Sequence, residues 1–103
     1  MAQIAAAEHE LRRVIGDAEG VGDREVEGLS EGDLLALYRD MILLRTYDER
    51  SVVYHRQGRI GTYAIYWNHE AMQAGAAYAL ADDDWIFPSY RESAIGLLRG
   101  LPA

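Results

Sequence analysis

Two adjacent residues near the end of the chain, Tyr90 and Arg91 in the stretch FPSYRES, have the chemistry to hold an anion. A phenol hydroxyl and a guanidinium both donate hydrogen bonds, and the guanidinium fork suits paired phosphate or carboxylate oxygens. If a helix starts near Ser89, its free backbone N–H groups and positive dipole end face the same space. The plainer alternative is a surface arginine on a solvated first turn. Other chemically capable residues lack the spacing they would need. His9, His55 and His69 are the only histidines, no two of them at metal-ligand spacing and none in an HExxH pattern. His69 and Glu70 are neighbours, which a helix turns in different directions, so His69 reads as a local hydrogen-bonding group. Asp82, Asp83 and Asp84 run consecutively through a turn, without the alternation of a calcium loop, and read as solvated. No glycine-rich phosphate loop and no nucleophile elbow is present. These residues assign no catalytic group and no metal ligand.

The elements that must position Tyr90 and Arg91 are mainly helical. Ser30 is a capping residue with Asp33 three positions on, and Leu34, Leu37, Tyr38, Met41, Ile42, Leu44 and Val52 follow at helical spacing. This helix is expected to run to about Gln57 and to stop at Gly58, a natural left-handed cap. Its charges, among them Arg45 and Asp48, read as a solvated face with intrahelical pairs. RIGTYAIYW, residues 59–67, suits a short strand or an extended segment lining a pocket. Asn68 is expected to cap a second helix from Glu70 to about Leu80, whose small residues permit close packing. Trp85-Ile86-Phe87 reads as a short buried strand or apolar anchor ended by Pro88. A last helix is expected from about Tyr90 to Arg99, stopping at Gly100.

Composition bounds the rest. The chain has 103 residues, enough for one small domain, and half of them are hydrophobic. The absence of cysteine excludes disulfides and thiolate chemistry. A net charge of −7, with arginine as the only strongly basic residue type, argues against nucleic-acid and anionic-lipid surfaces. No apolar run approaches a membrane span, and the N-terminus makes a poor signal peptide, so a cytoplasmic protein is expected. Residues 2–15 suit a helix, and residues 16–29, with four glycines and five acids, suit a solvated arm. The domain organisation is therefore an arm over 1–29 and a helical part over 30–103. Long helices in so small a chain bury little surface, which predicts oligomerisation or a second polypeptide.

Four blocks in order, LYRDMILLRTYDER, HRQGRIGTY, NHEAMQAGAAYAL and DDDWIFPSYRE, resemble one family. It is the alpha subunit of thiamine-diphosphate-dependent 2-oxo acid dehydrogenases, the decarboxylating component of the pyruvate and branched-chain complexes. The resemblance covers residues 30–101 and implies the N-terminal helical part of an α/β thiamine-diphosphate-binding fold, completed by a partner chain. It implies that Tyr90 and Arg91 contact the diphosphate of thiamine diphosphate, and that Tyr63, Tyr66, His69 and Ser93 lie along the substrate pocket. It further implies Mg2+ held by a Gly-Asp-Gly segment, which this sequence lacks. The implied partners are a chain carrying that segment, a beta subunit, and a lipoyl-bearing acyltransferase or other acyl acceptor.

The departures from the family pattern are local. Asn68-His69 stand where the family usually has Gly-Gln, before a retained Glu70-Ala71. Ser93 replaces the histidine of many pyruvate-type members, and with Tyr63 tilts the pocket toward the branched-chain side. Two functions compete. One is a subunit of a split dehydrogenase or decarboxylase that is inactive alone. The other is a non-catalytic interaction or regulatory module derived from a truncated alpha subunit. A piece of a longer protein is a third possibility.

Overall fold

The structure, a computed structural model, describes residues 28–103. The chain divides into two units, Met1–Ser30 and Glu31–Ala103, and the fold described here is that of the second. The helix expected over 2–15 and almost all of the arm expected over 16–29 lie outside the described residues. Helices are the only regular elements among the described residues: α1 (Glu31–Arg56), α2 (Glu70–Ala79) and α3 (Ala94–Leu98). The mainly helical expectation holds, and none of these helices is long and apolar enough to cross a membrane.

The first helix carries Glu31 and Asp33 in its first turn and His55 and Arg56 in its last, charges that complement the helix dipole. It ends as the glycine predicts. Gly58 takes φ 71°, its N–H bonds the His55 carbonyl at 3.0 Å, and the Arg59 N–H reaches back to Tyr54 at 2.9 Å. That is a Schellman cap, which needs a left-handed residue at the glycine. Only a narrow stripe of α1 is buried, namely Leu44, Asp48 and Ser51. Leu34, Leu35, Tyr38, Ile42 and Leu43 are exposed, so most of the helix's apolar surface is not covered within this unit. Asp48 is the departure from expectation. It is 2% exposed rather than part of a solvated face.

Neither aromatic stretch forms a strand. Residues 59–69 pass through turns and irregular backbone, closing with His69 N–H on the Tyr66 carbonyl at 2.8 Å. Tyr66 enters the core there, packed with Leu44 and Ala94 and flanked by Tyr47, Tyr63, Leu97 and Leu98. Full burial of Leu44 alone contributes about 1.5–3 kcal/mol. The expected burial of Trp85 to Phe87 is wrong: Trp85 is 86% and Phe87 88% exposed, their rings stacked 6.4 Å apart. Ile86 between them is half-buried beside Pro88, Gly96 and Leu101, but the described residues offer the segment no neighbouring strand.

The second helix packs against both α1 and α3, as its small residues permit. Its start differs from expectation. His69, not Asn68, is the N-cap, without a side-chain capping bond. The last helix is shorter than expected, beginning at Ala94 instead of Tyr90. The reason lies at Arg91, whose carbonyl accepts the side-chain amide of Gln73 at 2.9 Å. The Ile95 N–H, which would take that carbonyl in a continuous α-helix, bonds Glu92 instead at 3.2 Å. The far end closes as predicted. Gly100 has φ 89°, with Gly100 N–H on Leu97 and Leu101 N–H on Gly96, and Leu101 covers Gly96.

Candidate functional site

Tyr90 and Arg91 sit in the turn before α3, so the helix start expected at Ser89 does not exist and supplies no dipole or free N–H groups. What remains is a pair of side-chain donors. Tyr90 is 71% exposed, and the Arg91 guanidinium lies 5.2 Å from the centre of its ring, within cation–π range. The guanidinium also donates through Nη1 to the Ile65 carbonyl. Arg91 is thus held at both ends, its main chain by Gln73 and its side chain by Ile65.

The Ile65 carbonyl belongs to the peptide group whose N–H is that of Tyr66. That N–H donates to Asp48 Oδ1 at 3.2 Å. One peptide group therefore has a carboxylate on its N–H side and a guanidinium on its C=O side. Each charge polarises the group in the sense that strengthens the other bond. The same Asp48 oxygen accepts the Tyr63 hydroxyl at 2.7 Å, and the Tyr66 hydroxyl donates to the Leu44 carbonyl at 2.9 Å. Burial, followed by the adjoining Asp48 carboxylate, pushes both phenols well above the ordinary phenol range. They serve as neutral hydrogen-bond donors and not as bases.

A second charged pair braces the start of α2. Arg45 Nε donates to Glu70 Oε1, and its Nη2 reaches Asn68 Oδ1 at 3.4 Å. The bond from Arg45 holds the nearly buried Glu70 carboxyl below the usual carboxylate range, against the opposing effect of burial. Asn68 itself has φ 69°, in the left-handed region that favours glycine. Asparagine tolerates that region better than most residues. Asn68 can therefore hold a left-handed backbone that a glycine would also take.

Of the candidate pocket residues, Tyr66 is a core residue and Tyr63 is half-buried on Asp48. His69 caps α2, with its Nδ1 buried and lacking a hydrogen-bond partner. Ser93 is exposed at the start of α3 and makes no side-chain capping bond. Arg91 ties to the residue before Tyr66 and to Gln73, one turn beyond His69; Ser93 stands two residues further along the chain. Arg45, Asp48 and Gln73 were missed by the sequence reading. Their partners lie 15 to 25 residues away, beyond the reach of any local pattern. A cleft of about 500 Å³, lined by Asp40, Tyr78, Asp82 and Arg99 among others, includes none of the candidate residues. Among the described residues, no group of three or more His, Asp or Glu is arranged to hold a metal ion.

Residues 38–103 match the sequence model of the family described as "Dehydrogenase E1 component". The chain is 36% identical over 98 residues to the pyruvate dehydrogenase E1 component subunit alpha of Bacillus cereus, covering 94% of this chain and 26% of that protein. It is 42% identical over 74 residues to the 3-methyl-2-oxobutanoate dehydrogenase subunit alpha of Mycobacterium tuberculosis, covering 72% of this chain and 20% of the relative. The pyruvate dehydrogenase E1 component subunit alpha of Staphylococcus epidermidis is 37% identical over 86 residues, 84% of this chain and 23% of its own length. The chain spans about a quarter of the length of these relatives. No solved structure matches it. With the match running from the first third of α1 through the Tyr90–Arg91 turn to the last residue, the chain belongs to the dehydrogenase E1 component family.

Proposed function

We propose that this chain, through residues 30–103, serves a thiamine-diphosphate-dependent 2-oxo acid dehydrogenase as part of its alpha component. Tyr90 and Arg91 contact the cofactor's diphosphate, and Tyr63, His69 and Ser93 form part of the active-site wall, with Tyr66 packed behind it. The observation that carries this reading is the clamped Arg91 beside an exposed phenol. The donor set fits the group: a planar guanidinium, with N–H donors beyond the one given to Ile65, and a neighbouring hydroxyl suit the oxygens of a diphosphate. The cofactor, when bound, supplies the decarboxylating chemistry, and the chain's own residues bind and orient it. Magnesium is assigned to a chain bearing the Gly-Asp-Gly segment. A beta subunit completes the site, and a lipoyl-bearing acyltransferase or another acceptor takes the acyl group.

Removing Arg91 is expected to weaken cofactor binding by about 1.5–3 kcal/mol, the range for hydrogen bonds to charged groups. The test is calorimetric titration of thiamine diphosphate with magnesium, on this chain alone and on the chain purified with alpha-type and beta-type partners. Binding that is present in the mixture and lost with Arg91→Ala supports the reading. Absence of binding in every mixture overturns it in favour of a non-catalytic interaction module.

A further inference from the structure

Gln73 is 0% exposed, yet its side chain is only half satisfied. Nε2 donates to the Arg91 carbonyl at 2.9 Å, while Oε1 is buried without a hydrogen-bond partner. An apolar side chain of the same size would fill that space without burying an unpaired acceptor. What an apolar side chain could not supply is a donor for the Arg91 carbonyl.

That one bond has a consequence for the backbone. In an α-helix continuing upstream from Ala94, the Arg91 carbonyl would accept the Ile95 N–H. Gln73 takes one of that carbonyl's two acceptor positions from the α2 side, and the Ile95 N–H bonds Glu92 instead at 3.2 Å. The Glu92 N–H likewise makes only a turn bond, to Ser89 at 3.3 Å. Residues 90–92 are therefore held out of α3. We propose that Gln73 is a positioning residue for the Tyr90–Arg91 anion contact: by capturing the Arg91 carbonyl it stops α3 short and keeps Arg91 in the turn, where its guanidinium reaches the Ile65 carbonyl. The proposal rests on the reading of Arg91 as a diphosphate contact. Gln73 itself touches no ligand; it acts through Arg91.

The test compares the full chain with Gln73→Met, which keeps the side-chain length and removes both the donor and the unpaired acceptor. Gln73→Leu serves as a second variant should the thioether disturb folding. The first readout needs no ligand. Backbone carbon chemical shifts of residues 91–93 in Gln73→Met are expected to move toward helical values, and the Ile95 amide to exchange more slowly. The second is the shift of the Glu92 and Ser93 backbone amide resonances as inorganic diphosphate is titrated, with apparent affinity in Gln73→Met expected to fall about tenfold. A merely space-filling role for Gln73 would change thermal stability and leave both readouts where they are. If α3 does not lengthen, or diphosphate affinity in Gln73→Met equals that of the parent chain while Arg91→Ala loses it, the positioning role is overturned and the diphosphate contact stands. If the parent chain and Arg91→Ala respond to diphosphate alike, the contact itself is overturned and the proposal falls with it.

Discussion

Two aromatic stretches of similar composition meet opposite fates in this molecule. Residues 63–67 send Tyr66 into the core with Tyr63 packed against it, though Ile65 and Trp67 stay exposed, whereas residues 85–90 leave Trp85, Phe87 and Tyr90 in solvent. Hydrophobicity does not separate them. What separates them is a partner prepared to receive their polar atoms. The first stretch meets Asp48, which accepts the Tyr63 hydroxyl and the Tyr66 N–H, and Leu44, whose carbonyl accepts the Tyr66 hydroxyl. The second meets no such set among the described residues; its large rings contact each other. Buried aromatic surface is stabilising in proportion to its area, but a fold can collect that stabilisation only where hydrogen bonds lost to water are replaced.

The largest expected effect comes from removing the partner itself. Asp48→Ala leaves a half-buried phenol and a buried N–H without their acceptor, and should cost on the order of 3 kcal/mol in urea unfolding. A loss no greater than that of an exposed substitution would erase the distinction between the two stretches. High pH probes the same cluster without mutation. Tyr63 and Tyr66 titrate higher folded than unfolded, so their contribution is complete below the ordinary phenol value of 10.0 and declines as pH rises past it. Phenolate absorbance from these two should therefore appear together with unfolding. Tyr66→Phe, which removes only the hydroxyl on Leu44, is expected to cost about 1 kcal/mol. At the small end, Trp85→Ala and Phe87→Ala should change the stability of this chain by less than about 0.5 kcal/mol. Large losses there would mean that the second stretch is packed in solution after all.

What the sequence made legible follows the range of the forces involved. The ends of α1 and α3 could be read because a Schellman cap is local: Gly58 and Gly100 stand where a left-handed residue is required. The family blocks likewise made Tyr90 and Arg91 visible as a pair. Asp48 was not legible. An aspartate on a helix is ordinarily solvated, and it is buried here only because Tyr63 and Tyr66 arrive 15 and 18 residues later. The start of α3 failed for a related reason, since the sequence around Tyr90 permits helix, whereas the Arg91 carbonyl bonds a glutamine from α2 and not the Ile95 amide. Trp85 to Phe87 failed differently. Apolar residues state a demand for cover, and whether cover exists is a property of the rest of the molecule.

Arg99 illustrates how an acidic turn can be fastened without being neutralised. Its guanidinium bonds the main-chain carbonyls of Ala81, Asp82 and Asp84, at 3.0, 2.8 and 3.3 Å, rather than the three carboxylates that run through the same turn. Carbonyl groups bear no net charge, so mobile ions screen these bonds far less than they would a surface ion pair. The junction between the end of α2 and the end of α3 is therefore built to tolerate changes of ionic strength, and the acidic side chains of the turn can exchange counterions with the solvent while the backbone beneath them keeps its shape.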